Sequence, residues 1–183
     1  MSFYCNQSPC GMFPSYQNCC RPVVINNISR CCPTPPTPPP VVPIAQLTGM
    51  QVQLVGADQT LIADGENIIF NSIITNLSPD ITYNSITGVF TVTEAGVYYA
   101  DWWVNTDGAS EATTILLTLE FSSGPAISAS TPSPFTTVQL NGQALVSLPA
   151  GTTFSLVNNS GSTIALATSQ IQADLSIMKV VTI

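Results

Sequence analysis

The chain has 183 residues, of which only 7% are charged, with a formal net charge of -7 and no histidine. Three basic residues cannot neutralise a phosphate backbone, which excludes nucleic-acid binding. Without histidine the chain can build no imidazole acid–base catalyst, Ser-His-Asp triad or imidazole metal site. Its 45% hydrophobic content is too high for a disordered chain, yet no apolar run reaches the about 18 residues that span a bilayer.

Composition changes near residue 43. Residues 1–43 hold all 6 cysteines, 10 of the 15 prolines, and Arg21 and Arg30; every acidic residue lies beyond, from Asp58 to Asp174, with Lys179 the only base there. This divides the chain into a cysteine-rich arm (1–32), a proline-rich connector (33–43) and a body (44–183). The start, Met1-Ser-Phe-Tyr-Cys5, has neither the charged nor the apolar region of a secretory signal. The cysteines are Cys5, Cys10, Cys19, Cys20, Cys31 and Cys32. Zinc is one reading, but the spacing lacks paired Cys-x₂₋₄-Cys knuckles. Disulfides are the other: the segment is poor in core residues and dense in cysteine, and adjacent cysteines reach outward to different partners, other chains included. A chain without an export signal can still be oxidised if it assembles inside a cell and is released by lysis, as spore-surface layers are. The connector, Pro33-Thr-Pro-Pro-Thr-Pro-Pro-Pro-Val-Val-Pro43, cannot pair in a sheet or wind into an α-helix. It predicts an extended polyproline II rod of roughly 30 Å, serving as a spacer or a docking element.

From Ile44 onward the hydrophobic period is two. Met50, Val52 and Leu54 alternate with glutamines; Ile115, Leu117, Leu119 and Phe121 alternate with Thr114, Leu116, Thr118 and Glu120; Ile171, Ala173, Leu175 and Ile177 alternate with polar residues. Each run predicts a strand with one buried face. Turn signals fall at Asp64-Gly65, Ser78-Pro79-Asp80, Thr87-Gly88, Ala95-Gly96, Asp107-Gly108, Asn141-Gly142 and Ala150-Gly151. Asn141-Gly142 predicts a two-residue hairpin between strands at 136–140 and 143–148. About ten short strands predict an all-β, ten-stranded jelly-roll sandwich. On the strand that follows Gly96, Tyr98, Ala100, Trp102 and Val104 face one way, and Tyr99, Asp101, Trp103 and Asn105 the other. Both faces therefore need cover, one from the core and one from a neighbouring molecule or from loops of the same chain.

The segment Tyr83-Asn84-Ser-Ile-Thr87-Gly88-Val-Phe90-Thr-Val-Thr-Glu-Ala-Gly96-Val-Tyr98-Tyr99-Ala100-Asp-Trp102 resembles the signature of the complement subcomponent q heads, within the tumour-necrosis-factor-like superfamily. That signature has an aromatic–Asn/Asp pair, Thr-Gly-x-Phe, five residues and Gly-x-Tyr. Tyr83, Phe90, Gly96, Tyr98 and Trp102 fall on it, while Ala100 replaces the usual aromatic. The resemblance implies a jelly-roll head forming a threefold homotrimer around an apolar axis with the N-termini gathered at one end, and makes Tyr99 and Trp103 the candidate trimer-interface residues. The stretch from Leu140-Asn-Gly-Gln to Ser176-Ile-Met-Lys179 is similar to the C-terminal domains of collagen-like exosporium glycoproteins of Bacillus-type spores. Here the proline rod replaces their collagen stalk.

No catalytic grouping emerges, and no cofactor is implied. Asp64-Gly65-Glu66 reads as a solvated acidic turn or as two calcium-ligating carboxylates. No histidine or nearby lysine is available to activate a serine, Lys179 being the only lysine, and no glycine-rich phosphate loop is present. Asn6, Asn27, Asn76 and Asn158 open Asn-x-Ser/Thr sequons. The expectation is a non-enzymatic structural subunit of a bacterial spore-surface layer, appendage or fibre. It would be homotrimeric through the body, cross-linked by disulfides through the arm, and able to stack head to tail or bind other spore-surface proteins. The alternative is a surface-anchored trimeric adhesin whose head binds a protein or glycan.

Overall fold

The computed structural model describes residues 48–183 apart from 57, 113 and 135. The six cysteines, the connector and the arm boundaries fall outside those residues. The described part contains strands and no helix. Twelve strands follow in order: β1 Thr48–Val55, β2 Leu61–Ile62, β3 Ser72–Asn76, β4 Ile81–Asn84, β5 Val89–Val92, β6 Gly96–Ala109, β7 Thr114–Phe121, β8 Ile127–Pro132, β9 Val138–Leu148, β10 Thr153–Asn158, β11 Ile164–Leu166 and β12 Ile171–Thr182. Two of these, β2 and β11, are only two and three residues long, short enough to escape a pattern search. Seven strands form one sheet, β2-β11-β6-β12-β1-β3 with β9 also paired to β6; the other five form a second, β4-β5-β10-β7-β8. All the pairings are antiparallel. The body is an all-β sandwich of jelly-roll type.

The period-two pattern decides which side chains meet between the sheets. Met50, Val52, Tyr98, Trp102, Val104, Leu175 and Ile177 point inward from the larger sheet and meet Phe90, Val92, Leu117, Leu119, Phe154 and Leu156 from the smaller. Burying one such aliphatic or aromatic side chain contributes about 1.5–3 kcal/mol, so the paired inner faces dominate the stability. An aromatic chain runs through this core. Phe90 stacks on Phe154 at 4.8 Å and 4°, Tyr83 lies 4.4 Å from Phe90, and Phe70 meets both Tyr83 and Phe90 edge-on.

Tyr83 also holds a segment that belongs to no strand. Its hydroxyl donates to the Phe70 carbonyl (3.0 Å) and accepts from the Phe70 N–H (2.7 Å). Both main-chain groups of a buried residue are thereby satisfied by one side chain. Burial pushes the Tyr83 phenol up to about 12, and the Phe70 hydrogen bond offsets part of that rise. At the sheet end, Lys179 bridges Glu94 (2.7 Å) and Asp80 (3.1 Å). Burial favours losing its proton, but the two carboxylates outweigh burial and hold its pKa above the usual lysine value.

Two turn assignments need correction. Asn141-Gly142 is no hairpin: β9 runs unbroken from Val138 to Leu148 and pairs residue for residue with β6. Gly142 sits opposite Trp102, and a Cβ there would stand 2.1 Å from Trp102 Cζ2. Glycine is needed for room beneath an indole rather than for a turn. Asp107-Gly108 lies inside β6, where Gly108 takes φ +118 next to a register shift against β11, so the pair marks a bulge. Gly96 opens β6 without a positive φ; a side chain there would meet the Val181 carbonyl oxygen at 2.7 Å.

Two predictions follow from this packing. Gly142→Ala forces the Trp102 ring or the β6–β9 pairing to shift, costing about 3 kcal/mol and lowering the melting temperature by roughly 10 °C; a melt within 1 °C of the parent contradicts the assignment. For Tyr83 and Lys179 the folded pKa lies above the unfolded one, so their contributions are complete below about pH 10 and decline as pH rises further. Tyr83→Phe leaves the Phe70 groups unpaired and costs about 1–2 kcal/mol at pH 7. It also flattens the loss of stability between about pH 10 and 12 in denaturant titrations. An unchanged alkaline slope contradicts this role.

Candidate self-association surface

Strand β6 is fourteen residues long and carries a strict alternation of buried and less buried positions. The inward series is Tyr98, Ala100, Trp102 and Val104, each no more than 1% exposed. The outward series is Val97, Tyr99, Asp101, Trp103 and Asn105, on the side of the larger sheet that the smaller sheet does not cover. Phe90, a further signature position, is wholly buried, and Tyr83 is half-buried over it. Tyr98 donates from its hydroxyl to the Glu94 carbonyl at 2.7 Å. Trp102 Nε1 is the one buried side-chain nitrogen or oxygen among the described residues without a hydrogen-bond partner.

Strand register arranges the outward face in rows. One row runs Leu145, Tyr99, Met178, Gly49 across β9, β6, β12 and β1; the next runs Gln143, Asp101, Ser176, Gln51, Thr75; the third runs Asn141, Trp103, Asp174, Gln53, Ser72. Tyr99 and Trp103 are both half-buried in the single chain. The face is therefore not the uniformly apolar seam that the family resemblance implies. One aromatic and apolar row borders two mostly polar rows, the second of which carries the Trp103 indole.

Most of those polar groups satisfy one another. Asp174, 6% exposed, accepts from Gln51 Nε2 at 2.9 Å and Gln53 Nε2 at 2.8 Å on the same oxygen. The Tyr99 hydroxyl donates to Gln143 Oε1 at 3.0 Å, and Gln139 Nε2 donates to Asn105 Oδ1 at 3.2 Å. Amides already paired within the chain lose little on desolvation, so they suit a surface that another molecule covers. The alternation in the sequence places Tyr99 and Trp103 together on the outward face of β6, as the strand has them, but does not reveal the two glutamines on Asp174. The only signal was Gln-x-Gln at 51–53, whose meaning depends on β12 lying alongside.

The other candidates are placed as follows. Asp64 Oδ1 accepts from the Gly161 N–H at 2.7 Å and Glu66 Oε2 from the Ala63 N–H at 3.1 Å, so Glu66 serves its own turn and Asp64 ties that turn to the loop at Gly161. Among the described residues no three His, Cys, Asp or Glu side chains are grouped to hold a metal ion. Asn158 is fully buried, with its amide nitrogen on the carbonyls of Ile62 and Ser162 and its oxygen accepting from the Ser160 N–H. Its sequon is closed to modification in the folded chain. Asn76, by contrast, is exposed.

No protein-family model and no curated protein sequence matches the chain. Solved structures do. The globular domain of zebrafish complement 1qA is similar at 18% identity and TM-score 0.58, covering 74% of this chain and 99% of that domain. The Eiger TNF of S. frugiperda is similar at 14% identity and TM-score 0.60, covering 75% and 94%. Murine APRIL is similar at 8% identity and TM-score 0.57, covering 74% and 100%. The body thus has the jelly-roll fold of complement q and tumour-necrosis-factor-like domains.

Proposed function

We propose that this chain is a non-enzymatic structural subunit that assembles as a homotrimer through the outward face of its seven-stranded sheet. The observation that carries this reading is the pair of tryptophans on β6. Trp102 is covered by the chain's own core, whereas Trp103 shares an outward face with Tyr99, Met178 and pre-paired amides. A second molecule is the natural cover for such a face, and aromatics with few free charges are what protein interfaces favour. The jelly-roll fold supports the stoichiometry by analogy.

Assembly gives the arm its role. Three copies joined through their bodies bring eighteen arm cysteines, six from each, onto one particle. That raises the effective concentration of each thiol for its neighbours. Disulfides then tie the arms within a trimer or to the next one, and head-to-tail docking that does not close propagates as a fibre. The setting is a bacterial spore surface, exosporium or appendage, oxidised after the mother cell lyses. The stretch from Leu140 to Lys179 that resembles exosporium glycoprotein domains supports it. It runs from β9 to β12, the two strands that flank β6.

Native mass spectrometry of the full chain with reductant reads a trimer. Without reductant, electrophoresis shows ladders beyond trimer that collapse when reductant is added. Trp103→Asp gives single copies with an unchanged far-ultraviolet circular dichroism spectrum. A single-copy mass for the unmodified chain overturns the trimer, and monomers under both redox conditions overturn the cross-linking.

A further inference from the structure

An apolar hollow of about 200 Å³ lies on the outward face over β1, β3 and β12, walled by Gly49, Gln51, Thr75, Leu77 and Met178. No charged side chain lines it. Gly49 keeps it open, because a Cβ there would stand 2.9 Å from Met178 Cγ and 2.7 Å from the Ile177 carbonyl oxygen. Leu77, 69% exposed, stands among its walls.

A side chain of matching character projects from the opposite margin of the same face. Leu145 on β9 is 67% exposed. Register sets Leu145 beside Tyr99, Tyr99 beside Met178 and Met178 beside Gly49. Knob and hollow therefore lie on one line across the sheet, three strand spacings apart, or roughly 14 Å. Leu145 cannot reach the hollow of its own chain. A protruding patch and a different recessed patch make a heterologous contact, in which each copy gives one knob and receives another. That is the contact a closed ring of three requires.

We propose that Leu145 of one copy seats in the hollow formed by Gly49, Leu77 and Met178 of the next, and that this contact sets the rotation that closes the ring. The inference rests on the trimer reading above. The occupant is a second copy rather than a foreign chain, because each copy carries both an exposed apolar knob and an uncharged apolar hollow on one line of the same face. A cationic partner finds no acid in the hollow, and a foreign apolar chain filling it would leave Leu145 bare.

The test uses the full chain under reducing conditions, because Leu145 is exposed in the single copy and its replacement leaves the fold alone. Native mass spectrometry of Leu145→Asp reads single copies at concentrations where the parent is a trimer, at least a hundredfold weaker assembly. In parallel, p-benzoylphenylalanine placed at position 145 is photo-activated and its cross-links are mapped. Adducts on peptides of another copy that contain Leu77 or Met178 support the docking. A trimeric Leu145→Asp chain, or adducts confined to other segments, overturns it while leaving the trimer standing. A parent chain that is itself single-copy overturns both.

Discussion

The alternation along β6 is the constraint on which the rest of the molecule depends. Successive side chains of a strand point to opposite faces, so a run that places large aromatics at adjacent positions loads both faces at once. Tyr98 and Trp102 are the two largest fully buried side chains of the core beneath the sheet, while Tyr99 and Trp103 add aromatic surface above it. A one-residue slip would exchange the two sets and place Asp101 and Asn105 between the sheets. The ladders to β12 on one side and β9 on the other, nine and eleven residue pairs long, fix the register. Core and outward face are thus one decision made on a single strand.

The body manages with very few charges because its polar groups answer one another. Buried Asn158 bonds to main-chain groups at both ends of its amide, buried Gln172 donates to the Asp58 and Ala167 carbonyls and accepts from the Thr60 hydroxyl, and Asp174 is held by two glutamines. Leaving any of these buried groups without a partner would cost about 1–3 kcal/mol. Lys179 follows the same logic with full charges, since the lone base of the body is shared by Asp80 and Glu94. Such a surface is sparsely charged without being apolar. It favours contact with surfaces like itself over capture of strongly charged ligands, which suits a subunit that builds particles from its own copies.

How much of this the sequence carries depends on the range of the interaction. The strands of β1, β7 and β12 are legible because Met50–Leu54, Ile115–Phe121 and Ile171–Ile177 each carry a complete period-two signal. The opposed tryptophans are legible for the same reason. Gly142 is misread because an Asn-Gly pair has a local meaning, a tight turn, and a non-local one, space for an indole on the neighbouring strand. Tertiary packing decides between them. The segment at Ile68 and Phe70 is missed because it is held by the Leu156 carbonyl and the Tyr83 hydroxyl rather than by a strand pattern. Likewise the Gly49 hollow exists only once β12 has brought Met178 alongside.

At two positions glycine serves this fold as absent volume. At Gly142 the missing side chain admits the core indole, and at Gly49 it leaves a recess on the opposite face of the same sheet. One sheet thereby packs tightly on the inside and remains receptive on the outside. The chain's two tryptophans report on these two sides separately, which makes acrylamide quenching of their fluorescence over a dilution series of the reduced full chain the most direct measurement. Both indoles should be shielded at high concentration, with Trp103 alone becoming accessible and shifting to the red on dilution. A Trp103 that is equally accessible at every concentration would mean that nothing covers the outward face, and would contradict the account.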